Sequence, residues 1–398
     1  MAKILYLVHR IPYPPNKGDK VRSYHLLKHL AARHQVWLGS FVDDPDDWQH
    51  LPRLQPLVAD MHLAALHPRQ AKLASLRGLL TGEALSLPYY RNAGLSAWIK
   101  QVCAREQIDA VVVFSSTMAQ YATGLGLPVL VDFVDLDSAK WTEYGAKHGW
   151  PLSWLYAREG EKLLGFERAV AAQARHSFFV TPKEVQLFLD AAPEAAGRVD
   201  PLCNGVDAEF FCPDPAMASP FPAGTLPLVF TGAMDYWPNV DAVSWFVQSS
   251  LPALRARFPA LHFYIVGRSP TPAVQALAGE AVTVTGTVDD VRPYLQHAAA
   301  VVAPLRLARG IQNKVLEAMA MGKAVVAASS CVGAIDAEAG RELIGATEAE
   351  DYVAEVERLL ADPARSQAIG QAARQRVLQS YSWDAHLSGL DRFLEQAA

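Results

Sequence analysis

The chain has 398 residues, 51% of them apolar and 19% charged, with a net charge of −5. That length favours two domains, and that balance excludes a disordered chain, which would be poor in apolar residues. No apolar stretch approaches the roughly 20 residues of a membrane-spanning helix, and the net acidity argues against nucleic acid as a partner.

Residues 3–8 read as a first strand. Five apolar residues follow Lys3 and then meet His9, Arg10 and three prolines, which is not the pattern of a signal peptide. Residues 19–33 carry Val21, Tyr24, Leu27, Leu30 and Ala31 on one stripe and predict a helix, with Asp19 as its cap. Strands follow at 36–41, 110–114 and 128–133, the last two as compact apolar runs suited to burial on both faces of a parallel sheet. Between them, residues 68–80 predict a basic amphipathic helix, with Arg69, Lys72 and Arg77 among Leu73, Leu76, Leu79 and Leu80. Such a helix can lie on an anionic membrane, although an ordinary surface helix is the default reading.

Residues 200–222 hold Asn204-Gly205 and, among others, Pro213, Pro215, Pro220 and Pro222 with little periodicity, so they read as a linker, and the domain boundary falls between about 181 and 204. The strand–helix rhythm then restarts. Predicted strands at 226–231, 261–266 and 282–285 each end in glycine: Gly232, Gly267 and Gly286. Ligands of open α/β sheets sit beyond the carboxyl ends of the strands, and glycine there lets a ligand approach the backbone. Strands at 299–303 and 324–328 follow, and 382–398 reads as a closing amphipathic helix. Alternating strands and helices throughout predict an α/β fold with parallel sheets.

Four segments carry chemistry. The loop at 10–19 brings Gly18 to a helix N-terminus, where free N–H groups suit a phosphate or a sugar hydroxyl. It is neither a dinucleotide fingerprint nor a P-loop. Residues 306–323 place Arg306, Arg309 and Gly310 in a loop before a helix capped by Asn313, with Lys314 in its first turn and Gly322 at its end. Arg309, Lys314 and a helix dipole in one place suit a diphosphate. Glu317 stands on that helix among Val315, Leu316, Met319 and Met321, and a carboxylate in apolar company needs a partner. Either a Lys/Arg side chain or a ribose diol would serve. Asp132, Asp135 and Asp137 follow a strand, where capping and lining of a binding surface are favoured over metal ligation.

Cys103, Cys203, Cys212 and Cys331 form no CxxC pair, which predicts no zinc site and suggests the reducing cytosol. Residues 1–190 carry a net +3 and the remainder −8, so the N-terminal half is the one suited to an anionic surface.

Taken together, the Gly18 loop, Asn204-Gly205-Val206-Asp207, the strands ending at Gly232 and Gly267, the stretch 288–291 and the helix 314–322 followed by Ala324-Val325-Val326 resemble a glycosyltransferase of the GT-B fold, in the large retaining family 4. Asp132-Phe133-Val134-Asp135, Lys140-Trp141, the stretch 234–239 and the stretch 309–314 are similar to sugar transferases associated with exopolysaccharide clusters of the PEP-CTERM/EpsH type. The resemblance implies two Rossmann-like, doubly wound parallel-sheet domains facing an interdomain cleft: an acceptor-side domain over 1–190, with a helix over 380–398 packing back on it, and a donor-binding domain over 200–379. It implies metal-independent transfer, without a cofactor, of a sugar from a nucleotide diphosphate donor to a glycan or polyprenyl-linked acceptor. The expected setting is the cytoplasm, with peripheral contact to an anionic membrane. Arg309 and Lys314 are the expected catalytic cations. Gly18, Arg268, Val288, Gly310, Ile311, Gln312 and Glu317 are expected at the donor, and Asp132 and Asp135 on the acceptor side.

The sequence departs from the family pattern in three places. The first of two glutamates usual in the family falls on Arg309, Ala233 and Trp237 stand where basic residues are common, and Ser115 or Ser116 replaces a frequent histidine. These departures keep two other readings open: a nucleotide-sugar epimerase or hydrolase, and a non-catalytic partner subunit of the same fold.

Overall fold

The computed structural model describes residues 1–15, 17–306 and 311–395. The chain forms two compact units, one of Met1–Asn204 with the segment from His386 onward, the other of Gly205–Ala385. Each is a parallel sheet flanked by helices.

The sheet of the first unit is built from β1 (Lys3–Val8), β2 (Gln35–Val42), β3 (Asp60–Ala65), β4 (Ala110–Phe114), β5 (Val129–Val134), β6 (His176–Phe179) and β7 (Val199–Pro201). Their order is β3-β2-β1-β4-β5-β6-β7, and every pairing is parallel. The second unit contains β8 (Leu226–Thr231), β9 (Leu261–Val266), β10 (Val282–Gly286), β11 (Ala300–Ala303), β12 (Val325–Ala328) and β13 (Ile344–Ala346), in the order β10-β9-β8-β11-β12-β13. These pairings are parallel too. The central strands are covered on both faces, which is why β4 reads Ala-Val-Val-Val-Phe and is buried at every position. Alternation would have exposed half of it.

Both sheets reverse their winding once, between β1 and β4 in the first unit and between β8 and β11 in the second. Helices leave these neighbouring strands toward opposite faces, so a crevice opens at their carboxyl ends.

The predicted strands are all present, with ends shifted by at most one residue. The short strands β3, β6, β7 and β13 carry no strong pattern and were not anticipated. The first helix spans Gly18–Ala31, and Asp19 does not cap it: the N-cap is Lys17, without a side-chain hydrogen bond, and Asp19 lies inside the first turn. Residues 68–80 form two helices, Pro68–Ser75 and Arg77–Thr81, because the chain turns at Leu76. Among the described residues no helix is long and apolar enough to cross a membrane.

Candidate functional site

In the second unit, β8 and β9 run past their last paired residues into two glycines. Gly232 has φ +156° and Gly267 has φ +149°, a region that L side chains rarely adopt. A Cβ on Gly267 would stand 1.7 Å from the Gly232 carbonyl oxygen, so the two backbones touch where any side chain would part them. Gly286, at the end of β10, also has positive φ. The three strand-end glycines read from the sequence are thus required by backbone conformation. The contact continues beyond the strands, where Met234 N donates to the Arg268 carbonyl at 2.8 Å.

The helix Asn313–Ala320 enters the same edge from the other side of the reversal point, after β11. Its N-cap is Gln312 and not Asn313, which is the first helical residue. The first intrahelical bond is donated by Val315 N to Gln312 O, so the amides of Asn313 and Lys314 precede it and point out of the helix end. Lys314 folds back over the end of β8. Its ammonium lies 4.3 Å from the centroid of the Phe230 ring and donates to Asn239 Oδ1 at 2.5 Å. Asn239 is buried and in turn donates to the Ala233 carbonyl at 2.8 Å, which fixes the amide and through it the lysine.

Glu317 lies one turn further along this helix. It is half-buried by surface area, with buried Leu316 and Ala318 beside it. No donor among the described residues hydrogen-bonds its carboxylate, and no carboxylate among them lies within ion-pair reach of Lys314. Of the two partners its composition allowed, the Lys/Arg pair is therefore not formed. Burial pushes Glu317 up to about 7, with only partial relief from the Lys314 charge. Burial likewise lowers Lys314 to about 8, partly offset by Glu317. Each is held near the edge of its charged range by desolvation, a state that a complementary ligand would relieve.

Of the other expected donor residues, Arg268 is exposed at the end of β9 and forms no ion pair among the described residues. Ile311 is exposed and Gln312 half-buried at the head of the helix. Arg309 and Gly310 lie outside the described residues. Val288 is half-buried and packs against the core of the second unit. The loop around it is held by Arg292, which donates to both oxygens of Asp290 and stacks on Phe210.

The first unit treats its strand-end charges differently. Asp132 is buried, and Arg22 occupies both its oxygens at 2.7 and 2.9 Å, so it joins elements and does not line a surface. Asp135 and Asp137 share Lys140. The three carboxylates are thus drawn to two different cations, and among the described residues no group of three or more His, Cys, Asp or Glu is placed to hold a metal. Gly18 is exposed, and a Cβ there would meet nothing within 4 Å. Beside it, Asp19 takes Arg10 at 2.6 Å and His9 at 3.4 Å. Burial alone would raise Asp19, but His9 and Arg10 together outweigh it and hold the carboxyl well below its usual range. His9 stacks on Phe114 at 5.8 Å.

Sequence reasoning missed Asn239 and Phe230 as the seat of Lys314. Asn239 had a signal: it is an amide among Pro238, Val240, Ala242 and Val243, the same anomaly that marked Glu317. Phe230 had none, being an ordinary strand residue.

Residues 226–362, which lie within the second unit, match the family described as "Glycosyl transferases group 1". No curated protein matches the chain in sequence. Among solved structures, the chain is similar to HepE of Anabaena in complex with UDP, at 15% identity over the whole of both chains and a TM-score of 0.61. It is also similar to sucrose-phosphate synthase from Thermosynechococcus elongatus, at 19% identity, 100% and 99% coverage and a TM-score of 0.59. A glycosyltransferase from Rickettsia africae gives 14% identity, 100% and 98% coverage and a TM-score of 0.62. The fold is GT-B, as its two parallel α/β sheets and these neighbours agree.

Proposed function

We propose that the chain transfers a glycosyl group from a nucleoside diphosphate sugar, and that the donor lies at the carboxyl edge of the second unit's sheet. The observation that carries this reading is the pair Lys314 and Glu317. They stand one helical turn apart at the sheet's reversal point, both desolvated and neither in an ion pair among the described residues. A nucleoside diphosphate supplies what each lacks: phosphate oxygens for the ammonium and ribose hydroxyls for the carboxylate. The outward amides of Asn313 and Lys314 add donors for phosphate oxygens, and the glycine contact at Gly232 and Gly267 lets the nucleotide approach the backbone. Arg268 adds an exposed cation, and Arg309 is proposed beside Lys314 from the sequence.

In this reading catalysis is electrostatic. As the glycosyl bond breaks, negative charge grows on the leaving phosphate. Lys314, held in place by Asn239 before the donor arrives, stabilises it without reorganisation, which is the usual source of the largest catalytic term. The leaving phosphate oxygen can then take the acceptor's proton, giving retention without a protein nucleophile. Membership of family 4, metal independence and an acceptor that is a glycan or a lipid-linked saccharide of exopolysaccharide synthesis belong to the same proposal and rest on the sequence resemblance. The UDP bound in the structural neighbour HepE makes uridine nucleotides the first to try.

The test is release of nucleoside diphosphate from a panel of nucleotide sugars, with and without a bacterial membrane extract. Acceptor-dependent release with one donor, lost in Lys314→Met, supports transfer. Conversion of the donor without any extract would replace it with an epimerase or hydrolase, and donor binding without turnover would replace it with a partner subunit.

A further inference from the structure

The strongest feature outside the donor edge is an apolar surface on the first unit. Leu80 is 91% exposed, Trp150 84% and Leu73 71%, with Leu76 and Trp154 also exposed. They come from two distant stretches of sequence that the fold brings together. Arg158, in the helix Leu152–Gln173, donates to the carbonyls of Gly78 and Glu83 at 2.7 and 3.2 Å. Its neighbour Glu159 is buried and accepts from the amides of Leu85 and Ser86. Trp154 lies one turn before Arg158 and so shares its helix face, beside the segment that carries Leu79 and Leu80.

The leucines are not loosely hung. A Cβ on Gly78 would meet Leu85 Cδ2 at 3.0 Å and the Glu83 carbonyl at 3.1 Å, so that turn is packed tight behind them. Gly82, with φ +78°, ends the helix Arg77–Thr81. A framed segment that still presents four leucines outward leaves them without apolar cover among the described residues of its unit.

The charges around this surface select the occupant. Arg69, Lys72 and Arg77 are exposed, none is in an ion pair among the described residues, and no carboxylate occurs from 68 to 82. Lys147, three residues before Trp150, is exposed and likewise outside any ion pair among the described residues. The first carboxylate after the leucine segment, Glu83, is neutralised by Arg91, which binds both its oxygens. Exposed leucines, two tryptophans and cations outside any ion pair among the described residues, on segments that the Arg158 contacts join, are the composition of a surface that lies in an anionic membrane interface. We infer that the first unit docks on an anionic lipid bilayer through the helices Pro68–Ser75 and Arg77–Thr81 and the Trp150–Trp154 turn. This goes beyond the donor reading and does not depend on it.

The experiment is flotation of the full chain with vesicles of phosphatidylcholine, with and without phosphatidylglycerol. Binding is expected only with phosphatidylglycerol. At the usual gain per surface cation, replacing Arg69, Lys72 and Arg77 by glutamine should weaken it about 100-fold. Leu80→Ser with Trp154→Ser should weaken it about tenfold or more. Both sets should leave the unfolding midpoint and nucleotide binding unchanged, since the residues are exposed and outside the donor edge. Failure to bind phosphatidylglycerol vesicles, or equal binding by the cation variant, would overturn the inference. So would concentration-dependent self-association in light scattering that the Leu80 and Trp154 changes abolish, which would assign the surface to a second copy of the chain.

Discussion

The two sheets end in the same geometry and use charge in opposite ways. At the carboxyl edge of the first, the acids and bases are matched to one another: Arg22 with Asp132, Arg10 with Asp19 and Asp43, Lys140 with Asp135 and Asp137. At the carboxyl edge of the second, Lys314, Glu317 and Arg268 have no opposite charge bound to them among the described residues. A buried charge must be answered somewhere. In the first unit the answer is structural, and in the second a ligand of complementary charge has to give it. The difference shows that strand-end position alone does not mark a site, whereas strand-end position with unmet charge does.

This contrast can be broken by mutation. The largest effect should come from the first unit. Arg22→Ala strands the buried Asp132 carboxylate and should cost about 3–5 kcal/mol in urea unfolding. A change below about 1 kcal/mol would mean that the pair is not structural. Next, Lys314→Met should weaken nucleoside diphosphate binding about 100-fold while leaving stability nearly unchanged, because it removes a desolvated charge that no carboxylate among the described residues pairs. A large loss of stability would place Lys314 with Arg22, as architecture. Glu317→Gln should weaken nucleotide binding about tenfold but leave inhibition by inorganic pyrophosphate unchanged, since pyrophosphate has no ribose. Equal effects on both would sharpen the assignment differently, placing Glu317 against the phosphates through Lys314.

The smallest effect should be in pH. Nucleotide binding needs Lys314 charged and Glu317 ionised, so affinity should peak between about 7 and about 8. It should halve roughly at either midpoint and steepen toward about tenfold per unit beyond. Stability runs the other way. Glu317 has a raised value, so the folded chain keeps a proton that the unfolded chain has released, and stability falls as pH climbs from the ordinary glutamate range to about 7. Lys314 has a lowered value, so stability recovers as pH rises from about 8 toward the ordinary lysine value. Thermal unfolding of Glu317→Gln across both pH windows should lose the first slope and keep the second.

Much of this was legible in the sequence. The buried strands announce themselves as unbroken apolar runs, and Gly232 and Gly267 mark the edge because no other residue allows their backbones to touch. Glu317 was visible as a carboxylate in apolar company, but its freedom from a protein partner was not, since pairing depends on what other elements bring near. The same limit misassigned Asp132. It looked like a surface carboxylate after a strand, and only the fold brings Arg22 from 110 residues away to cover it. The apolar surface of the first unit was half legible: the leucines and cations of 68–80 share one stretch, whereas Trp154 reaches them only through the Arg158 clamp.

The central claim is that the unmet charges of the second unit belong to a nucleoside diphosphate. Thermal unfolding against uridine, guanosine, adenosine, thymidine and cytidine diphosphates tests it most directly. At about 100 times its dissociation constant a ligand should stabilise by about 2.7 kcal/mol, a shift of roughly 5–10 °C for a unit near 200 residues. The account predicts such a shift with at least one base, reduced in Glu317→Gln and abolished in Lys314→Met. No shift with any of the five, or the same shift in both variants, would contradict it.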